Sequence, residues 1–321
     1  LLSHDQSKNG DQPFVMLEND AKRTYVAQSG LIGLNGPDSS RAGRPMYDVE
    51  KTTYTLADAK TIASKDGKTA QVLTVPLVFK TPEGVEVIKT FTFKQGDYPI
   101  TVKHQVVNRS AQNWQGQMFG QLKRDNSEDP GKSSQGIFTL GTFLGGAWGT
   151  PEATYNKLKF SNFSDEKLSL EAKSAWVAMV QHYFVSAWIP GNLKLTQADG
   201  QPYAAKLESR QSTDKMNIIG FTSPVINVPA GTSMEVDAKL YAGPKIQSEL
   251  KDLAVGLNQT VDYGWLWPIA KLLFIGLQFF HNIIGNWGWS IILLTVLVKL
   301  ILWPLSAKSY RSMAKMRMIA P

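Results

Sequence analysis

The sequence predicts a mostly β protein, with a large β-sandwich domain followed by two apolar helical segments. From about Lys51 to Gly243, short segments alternate apolar and polar residues and are separated by Pro, Gly, Asn and Asp. Alternation with a period of two buries one face of a strand and leaves the other in water. Many short strands of this kind predict a sandwich. From Gly264 to Leu305 the composition changes to Leu, Ile, Val, Phe and Trp, which predicts helices in or on a membrane.

The net charge of +7 belongs to the C-terminal part of the chain. Of the 34 Lys and Arg residues, six lie in residues 263–321, which contain no Asp or Glu, so residues 1–262 carry 28 basic and 27 acidic residues. A nearly neutral domain lacks the basic surface that binding to nucleic acid phosphates requires, and DNA is not an expected partner. The absence of cysteine excludes a disulfide framework and thiol chemistry.

The β-domain is predicted to occupy residues 1–262. Residues 71–80 and 85–94 flank the sequence Thr-Pro-Glu-Gly, in which Pro fixes φ and Gly accepts a positive φ, so they predict a hairpin. The first twelve residues have neither a charged nor an apolar segment of a signal peptide, and we expect the N-terminal part of the domain to be missing.

A short helix is predicted to close this domain at residues 245–258. The strand alternation stops at Gly243-Pro244, and apolar residues then recur at the spacing of one helical face. Pro244 suits the first position of a helix because its missing N–H would have no partner there. The residues of this apolar face are Ile246, Leu250, Leu253 and Leu257.

Residues 287–307 are predicted to form a transmembrane helix. The apolar run from Trp287 to Leu305 has 19 residues and one charge. At 1.5 Å per residue it covers about 28 Å, close to the thickness of the hydrocarbon core. Trp287, Trp289 and Trp303 stand near its ends, where aromatic residues anchor spans. The basic residues that follow predict a cytoplasmic C-terminus, with residues 1–262 outside the cytoplasm; they are Lys308, Arg311, Lys315 and Arg317.

The preceding segment, residues 264–285, has two interpretations. It is long enough to form a second span that pairs with the first through Gly285-Asn286. Its polar residues fall on one stripe, which favours an amphipathic helix lying in the membrane interface with that stripe in water. The stripe consists of Lys271, Gln278, His281 and Asn282.

Lys299 is a charge inside the predicted span, and it also has two interpretations. A lysine side chain can extend to the headgroups at little cost, which is the structural interpretation. The functional interpretation is that Lys299 faces a hydrated cavity, because charges within membranes usually mark pathways or pairs. Thr295, Lys299 and Ser306 follow Gly288 by 7, 11 and 18 positions, so the four residues share one helical face. A small and polar stripe of this kind favours the second interpretation.

Several motifs resemble the YidC insertases of Gram-negative bacteria, and the resemblance covers essentially the whole chain. In the C-terminal part they are Tyr263-Gly264-Trp265-Leu266-Trp267, Gly285-Asn286-Trp287-Gly288 and Ser312-Met313-Ala314-Lys315-Met316-Arg317-Met318. In the β-domain they are Gln12-Pro13-Phe14, Ala27-Gln28-Ser29-Gly30-Leu31, Phe119-Gly120-Gln121-Leu122-Lys123 and Trp176-Val177-Ala178-Met179.

The resemblance implies a fold and a role. The fold is a periplasmic β-supersandwich similar to galactose mutarotases, with an interfacial helix at 264–285, the second span at 287–307 and the start of a cytoplasmic hairpin helix at 308–321. The role is that of a membrane protein insertase and chaperone, which is multi-pass in the bacterial inner membrane and is not an enzyme. Lys299 matches a groove cation that is often arginine in the family, and Thr295, Ser306 and Gly288 share its face. Lysine lacks the rigid fork of arginine and loses its proton more readily, so charge-based capture of clients is a hypothesis.

The implied partners are nascent membrane proteins, the lipid bilayer and the Sec translocon with its SecDF accessory. The basic tail could contact ribosomal RNA or anionic lipid, and the alternative to both is a solvated cytoplasmic helix face. A second functional interpretation treats the β-domain as a docking module of the translocation machinery. A third, a sugar-active enzyme, is disfavoured because the four histidines stand in unrelated segments: His4, His104, His182 and His281. No catalytic residue, metal site or cofactor is expected, since no ligand spacing, phosphate loop or nucleophile motif is present.

Overall fold

The computed structural model describes residues 13–39, 44–63, 69–127, 143–195, 200–261 and 267–319. Two compact units make up the chain, Leu1–Val261 and Asp262–Pro321. The prediction of a mostly β chain is confirmed. The strands, in chain order from β1 to β18, are Glu18–Asn19, Thr24–Ile32, Asp48–Val49, Lys60–Ala63, Thr69–Lys80, Val85–Lys94, Pro99–Asn108, Trp114–Arg124, Gly145–Gly149, Asn156–Lys159, Ser169–Ala172, Trp176–Val180, Phe184–Leu195, Gln201–Pro202, Ala205–Gln211, Asn217–Thr222, Ile226–Val228 and Ser233–Pro244.

The strands form two antiparallel sheets. The seven-stranded sheet has the order β1-β2-β8-β16-β15-β11, with β17 paired to β8. The eleven-stranded sheet has the order β10-β9-β12-β13-β18-β7-β6-β5-β3, with β14 paired to β13 and β4 to β5. The predicted hairpin is confirmed as β5 and β6, and Gly84 in its turn has a φ of +94°.

One hydrophobic core contains buried residues of both sheets, as a sandwich requires. Met179 and Trp188 come from the eleven-stranded sheet, and Leu122 and Phe221 come from the seven-stranded sheet. The rings of Trp188 and Phe221 meet edge to face with centroids 6.2 Å apart. Gly120 admits this contact, because a Cβ there would overlap Cε1 of Phe221 and lie 2.9 Å from Cδ2 of Trp188.

The closing helix is shorter than predicted. The structure has α1 at Gln247–Leu253, followed by a separate 3-10 turn at Leu257–Thr260, where the sequence predicts one helix over 245–258. Gly256 interrupts it with a φ of +81°, and a Cβ there would overlap the carbonyl oxygen of Thr154. The apolar residues Leu250 and Leu257 are nevertheless buried together, in a second core cluster with Trp176 and Tyr241 of the eleven-stranded sheet.

The C-terminal unit contains two helices, α2 at Trp267–Ile284 and α3 at Trp287–Ile319. Residues 264–266, where the first predicted segment begins, lie outside the described residues. The sequence predicts that the span ends at residue 307 and that a cytoplasmic helix starts at residue 308. In the structure, one continuous helix runs through both positions. The helix continues through Pro304, which removes one backbone hydrogen bond without ending the helix.

The turn between α2 and α3 is built by two residues with defined roles. Gly285 has a φ of +71°, and its N–H donates to the carbonyl oxygen of His281 at 2.7 Å, which ends α2. The side-chain oxygen of Asn286 accepts a hydrogen bond from the N–H of Trp289 at 3.3 Å, as an N-cap does. The sequence Gly-Asn therefore reverses the chain between two helices.

Candidate functional site

The predicted groove stripe lies on one face of α3. Gly288, Thr295, Lys299 and Ser306 fall within about 40° of one another at 100° per residue, because α3 is continuous across all four. All four are exposed within this unit. The hydroxyl of Thr295 donates to the carbonyl oxygen of Ile291 at 2.7 Å, so the chain satisfies this polar group without a partner helix.

Helix α2 packs against a different face of α3. A Cβ on Gly276 of α2 would lie 3.0 Å from Cδ1 of Leu294 on α3. Leu294 and Val298 are only half-buried, and both stand about 100° or more from Lys299 around the helix. Lys299 therefore remains uncovered by α2, and residues 263–321 contain no Asp or Glu that could pair with it.

On α2, Lys271, Gln278 and Asn282 are exposed and share one face, as the sequence predicts. His281 differs, because its ring is half-buried and stacks on the indole of Trp287. The ring centroids are 3.7 Å apart and the planes differ by 7°. The assignment of His281 to the water-facing stripe stays a prediction, although its ring packs on Trp287 and is less exposed than the other three side chains. The reversal at Gly285 brings the first residue of α3 against the last turn of α2, a contact that helical spacing within α2 does not reveal.

The two helices differ in their capacity to cross a bilayer. By length and composition, Trp287–Arg311 is a candidate span of 25 residues, or about 38 Å, while Pro268–Ile284 is a shorter apolar helix. Among the predicted cytoplasmic cations, Lys308 and Arg311 are exposed. Lys315 and Arg317 lie on α3, but their side chains are outside the described part of the structure.

The two described histidines of the β-domain, His104 and His182, have different surroundings. His104 is fully buried between the sheets, and burial lowers its pKa to about 3, so the ring is neutral. His182 is exposed and contacts Tyr183. His4 lies outside the described residues. Across the described ranges, no group of three His, Cys, Asp or Glu residues is arranged to hold a metal ion.

Near His104, a half-buried lysine connects the two sheets. The Nζ of Lys89 on β6 donates to the carbonyl oxygen of Ser29 on β2 at 2.7 Å. Burial lowers the pKa of Lys89 and raises that of Asp38, whose carboxylate accepts the N–H of Leu31 at 2.8 Å. No sequence pattern predicted this arrangement, because Asp38 and Lys89 are separated by about fifty positions in the chain.

Comparison with known families decides the identity of the chain. Residues 1–275 match the model of the YidC periplasmic domain, and residues 279–321 match that of the 60Kd inner membrane protein. The chain belongs to the YidC family. Membership places it among inner membrane proteins and agrees with the family resemblance found in its motifs.

Two curated relatives of this chain are named membrane protein insertase YidC. The protein from Pseudomonas putida (strain GB-1) is 46% identical over 97% of this chain and 52% of the relative. The protein from Azotobacter vinelandii is 45% identical over 96% of this chain and 52% of the relative. The chain therefore spans about half the length of the curated relatives it matches.

Solved structures give weaker similarities. A galactose mutarotase related enzyme from Lactobacillus acidophilus aligns with a TM-score of 0.36 and 11% identity, covering 61% of this chain and 70% of that chain. A GH36 alpha-galactosidase from Geobacillus stearothermophilus aligns with a TM-score of 0.36 and 8% identity, covering 74% of this chain and 36% of that chain.

Proposed function

We propose that this chain is part of a non-enzymatic membrane protein insertase and chaperone, and that Lys299 is the cation that captures hydrophilic client segments. The observation behind the proposal is the stripe of Gly288, Thr295, Lys299 and Ser306, which gives one polar face to the largely apolar part of α3 before residue 308. Helix α2 covers a different face of α3 from the one that carries this stripe. An exposed cation on such a face is costly in lipid, so the stripe borders water or protein in the assembled molecule.

In this mechanism, the ammonium of Lys299 attracts the hydrophilic and often acidic terminus of a nascent membrane protein into the hydrated groove. The terminus then has a shorter path across the apolar core. Attraction between unit charges is severalfold stronger at low effective dielectric than in bulk water, so even one cation can bias entry. No bond is made or broken. The free energy comes from burying about 20 apolar residues of the client in lipid.

The small residues of the stripe determine access to the cation. Gly288 and Ser306 have little or no side chain, and Thr295 uses its hydroxyl for the backbone of its own helix. They leave room for a peptide alongside Lys299. Helix α2, with Lys271, Gln278 and Asn282 on one exposed face, is proposed to lie in the periplasmic interface with that face in water.

The proposed topology follows from the positions of the cations. A cytoplasmic end of α3, with residues 1–262 in the periplasm, is supported by the excess of basic residues Lys308, Arg311, Lys315 and Arg317. The full-length protein is proposed to be multi-pass, with further spans that complete the groove. This agrees with relatives about twice as long as the chain.

Nascent membrane proteins and the bilayer are the partners that the insertase role requires. The family resemblance supports two further proposals, the Sec translocon with SecDF as a periplasmic partner and the ribosome as a cytoplasmic one. Site-specific photocrosslinking from the β-domain and from the tail of α3 in the full-length protein would identify either contact.

The experiment for the groove cation is insertion of a small single-span client by full-length protein at matched expression. Lys299→Arg is expected to preserve insertion, while Lys299→Ala and Lys299→Glu impair it, the reversal more severely. Ile301→Ala is the matched control, because Ile301 is also exposed, at 66%, and stands about 160° from Lys299 around the helix. Equal insertion by all the variants would contradict charge capture and leave Lys299 as a lysine that reaches the headgroups.

A further inference from the structure

Residues 33–39 leave β2 and fold back onto the start of β8, and we call them the docked segment. Gly33 has a φ of +105°, which turns the chain out of the strand. Its N–H donates to Oγ of Ser39 at 2.8 Å, and the last three residues form a 3-10 turn at Pro37–Ser39. A hydrogen bond between its two ends therefore closes the docked segment on itself.

Asn35 attaches the docked segment to β8. Its N–H donates to the carbonyl oxygen of Gln115 at 2.8 Å, and its Oδ1 accepts the N–H of Gln115 at the same distance. Its carbonyl oxygen accepts the indole N–H of the buried Trp114 at 3.0 Å. The side chain of Asn35 thus completes a reciprocal pair of the kind that joins opposite residues in an antiparallel ladder.

Gly36 is fixed by close packing. It is buried, and a Cβ there would overlap the main chain of Ile32, at 2.4 Å from its carbonyl carbon. Its own carbonyl oxygen accepts the N–H of Ser39 at 3.1 Å. The contact with Gln115 suits an asparagine at position 35, and the contact with Ile32 requires a glycine at position 36.

An asparagine followed by glycine is chemically labile, because glycine has no side chain to shield its main-chain nitrogen. That nitrogen attacks Cγ of the asparagine, the bond from Cγ to the side-chain nitrogen breaks, and ammonia leaves with the proton of the glycine amide. Water then opens the cyclic imide at one of its two carbonyls and yields either aspartate or isoaspartate. Within the described ranges, Asn35 is the one asparagine that glycine follows directly.

We infer that Asn35 is a conditional modification site, at which docking onto β8 prevents imide formation and release of the docked segment permits it. Ring closure must bring Cγ of Asn35 to bonding distance of the Gly36 nitrogen. The hydrogen bonds to Gln115 and Trp114 hold Oδ1 and the carbonyl oxygen of Asn35, which move with the ring atoms. Asn35 is exposed, so water reaches the imide once it has formed.

Isoaspartate at position 35 prevents the docked segment from returning to β8. In that product the main chain passes through Cβ and Cγ, so it is one methylene longer. The former Oδ1 becomes a main-chain oxygen, and the former carbonyl becomes a carboxylate beside the indole of Trp114. Gly36 has no room to absorb the added length, because it already lies against Ile32. The modification therefore records each opening between the docked segment and β8.

Asn227 offers a comparison within the same sheet. It lies opposite Gln115 on β17 and is exposed, like Asn35. The residue that follows it is Val228, which is fully buried and whose branched side chain shields the main-chain nitrogen. Exposure alone would modify both asparagines, whereas control by the following residue modifies Asn35 and leaves Asn227 intact.

The test incubates the full-length protein in detergent at mildly alkaline pH and follows Asn35 by mass spectrometry, with fragmentation to distinguish aspartate from isoaspartate. A synthetic peptide of residues 31–39 gives the rate of the unprotected sequence. Conversion in the folded protein is expected to be at least about tenfold slower than in the peptide, because it waits for local opening. The peptide that contains Asn227 is expected to stay unmodified in the same digest.

The variant that tests docking is Ser39→Ala, which removes the acceptor for the N–H of Gly33. It is expected to accelerate conversion about fivefold, the factor that corresponds to about 1 kcal/mol for one hydrogen bond. Ser161→Ala is the matched control, because it removes an exposed hydroxyl from another 3-10 turn, Phe160–Asn162, and should keep the wild-type rate.

Equal rates in the folded protein and the peptide would overturn the inference, since docking would then give no protection. An unchanged rate in Ser39→Ala, or an equal increase in Ser161→Ala, would also overturn it. Hydrogen exchange is measured on the same samples, and faster conversion with loss of protection throughout β8 would assign the effect to global unfolding and contradict local release. Asn35→Asp has the new charge without the longer main chain and should keep the protection of the docked segment that the isoaspartyl protein loses.

Discussion

The imidazole of His281 lies almost parallel to the indole of Trp287, with ring centroids 3.7 Å apart and planes that differ by 7°. His281 is in the last turn of α2 and Trp287 is the first residue of α3. The stack therefore stabilises the reversal at Gly285, where a positive φ ends the first helix. It defines the face that α2 covers and leaves the side of α3 with Lys299 open.

The stack predicts that His281→Ala loosens the helix pair. Aromatic pairs contribute about 0.5–1.5 kcal/mol beyond their buried area, so its loss shifts the pair toward separated states. Gly276 and Leu294 are in contact across the helices, and the chain has no cysteine of its own. A Gly276→Cys, Leu294→Cys pair is expected to crosslink readily, and severalfold more slowly when His281→Ala is added.

The control for this measurement is a Gly276→Cys, Ile301→Cys pair, because Ile301 lies about 10 Å along the axis of α3 from Leu294. That pair is expected to show little crosslinking with or without the His281 substitution. An unchanged crosslinking rate in His281→Ala would show that Gly285 and Asn286 hold the turn without the aromatic stack.

Sequence patterns predicted those parts of this chain that depend on local periodicity. The β5–β6 hairpin followed from alternation and a Pro-Glu-Gly turn, and the alignment of Thr295 with Lys299 followed from helical spacing. Contacts across the chain could not be predicted in this way. The position of His281 depends on the geometry of a turn four residues later, and the bridge from Lys89 to Ser29 depends on how two sheets stack.

Two boundaries were also placed differently by sequence and structure. Gly256 accepts a positive φ, which ends the regular helix before Leu257 even though the apolar spacing continues. By contrast, α3 continues as one helix past residue 307, where the sequence predicts that the membrane span ends. Composition reports the expected surroundings of a residue, whereas helix continuity depends on backbone hydrogen bonds, of which Pro304 removes only one.

Gly120 is predicted to be required for packing between the sheets. Gly120→Ala would place a methyl group in overlap with Cε1 of Phe221, and overpacking of this kind costs about 1–3 kcal/mol of unfolding free energy. Denaturant unfolding of the β-domain, followed by near-ultraviolet circular dichroism, measures the loss. Gly200→Ala is the control, since Gly200 is exposed and its nearest neighbouring atom would be 3.3 Å from the new Cβ. Equal stability of the two variants would contradict the packing argument.

His104 is predicted to make the β-domain acid-sensitive. Burial lowers its pKa from 6.5 to about 3, so the unfolded chain binds a proton at pH values where the folded domain does not. Stability is therefore retained above pH 6.5 and lost as the pH falls toward about 3, by at most about 5 kcal/mol from this residue. Between pH 6.5 and about 3, the free energy of unfolding of His104→Leu is expected to depend less steeply on pH than that of the wild type. At neutral pH its stability should not fall, since both ring nitrogens of His104 are buried without hydrogen-bond partners among the described residues. His182→Leu, which removes an exposed histidine from the same domain, is the control and should keep the wild-type slope. An identical slope in His104→Leu and wild type would mean that the buried ring gains a compensating partner on protonation, and that other groups cause the acid sensitivity.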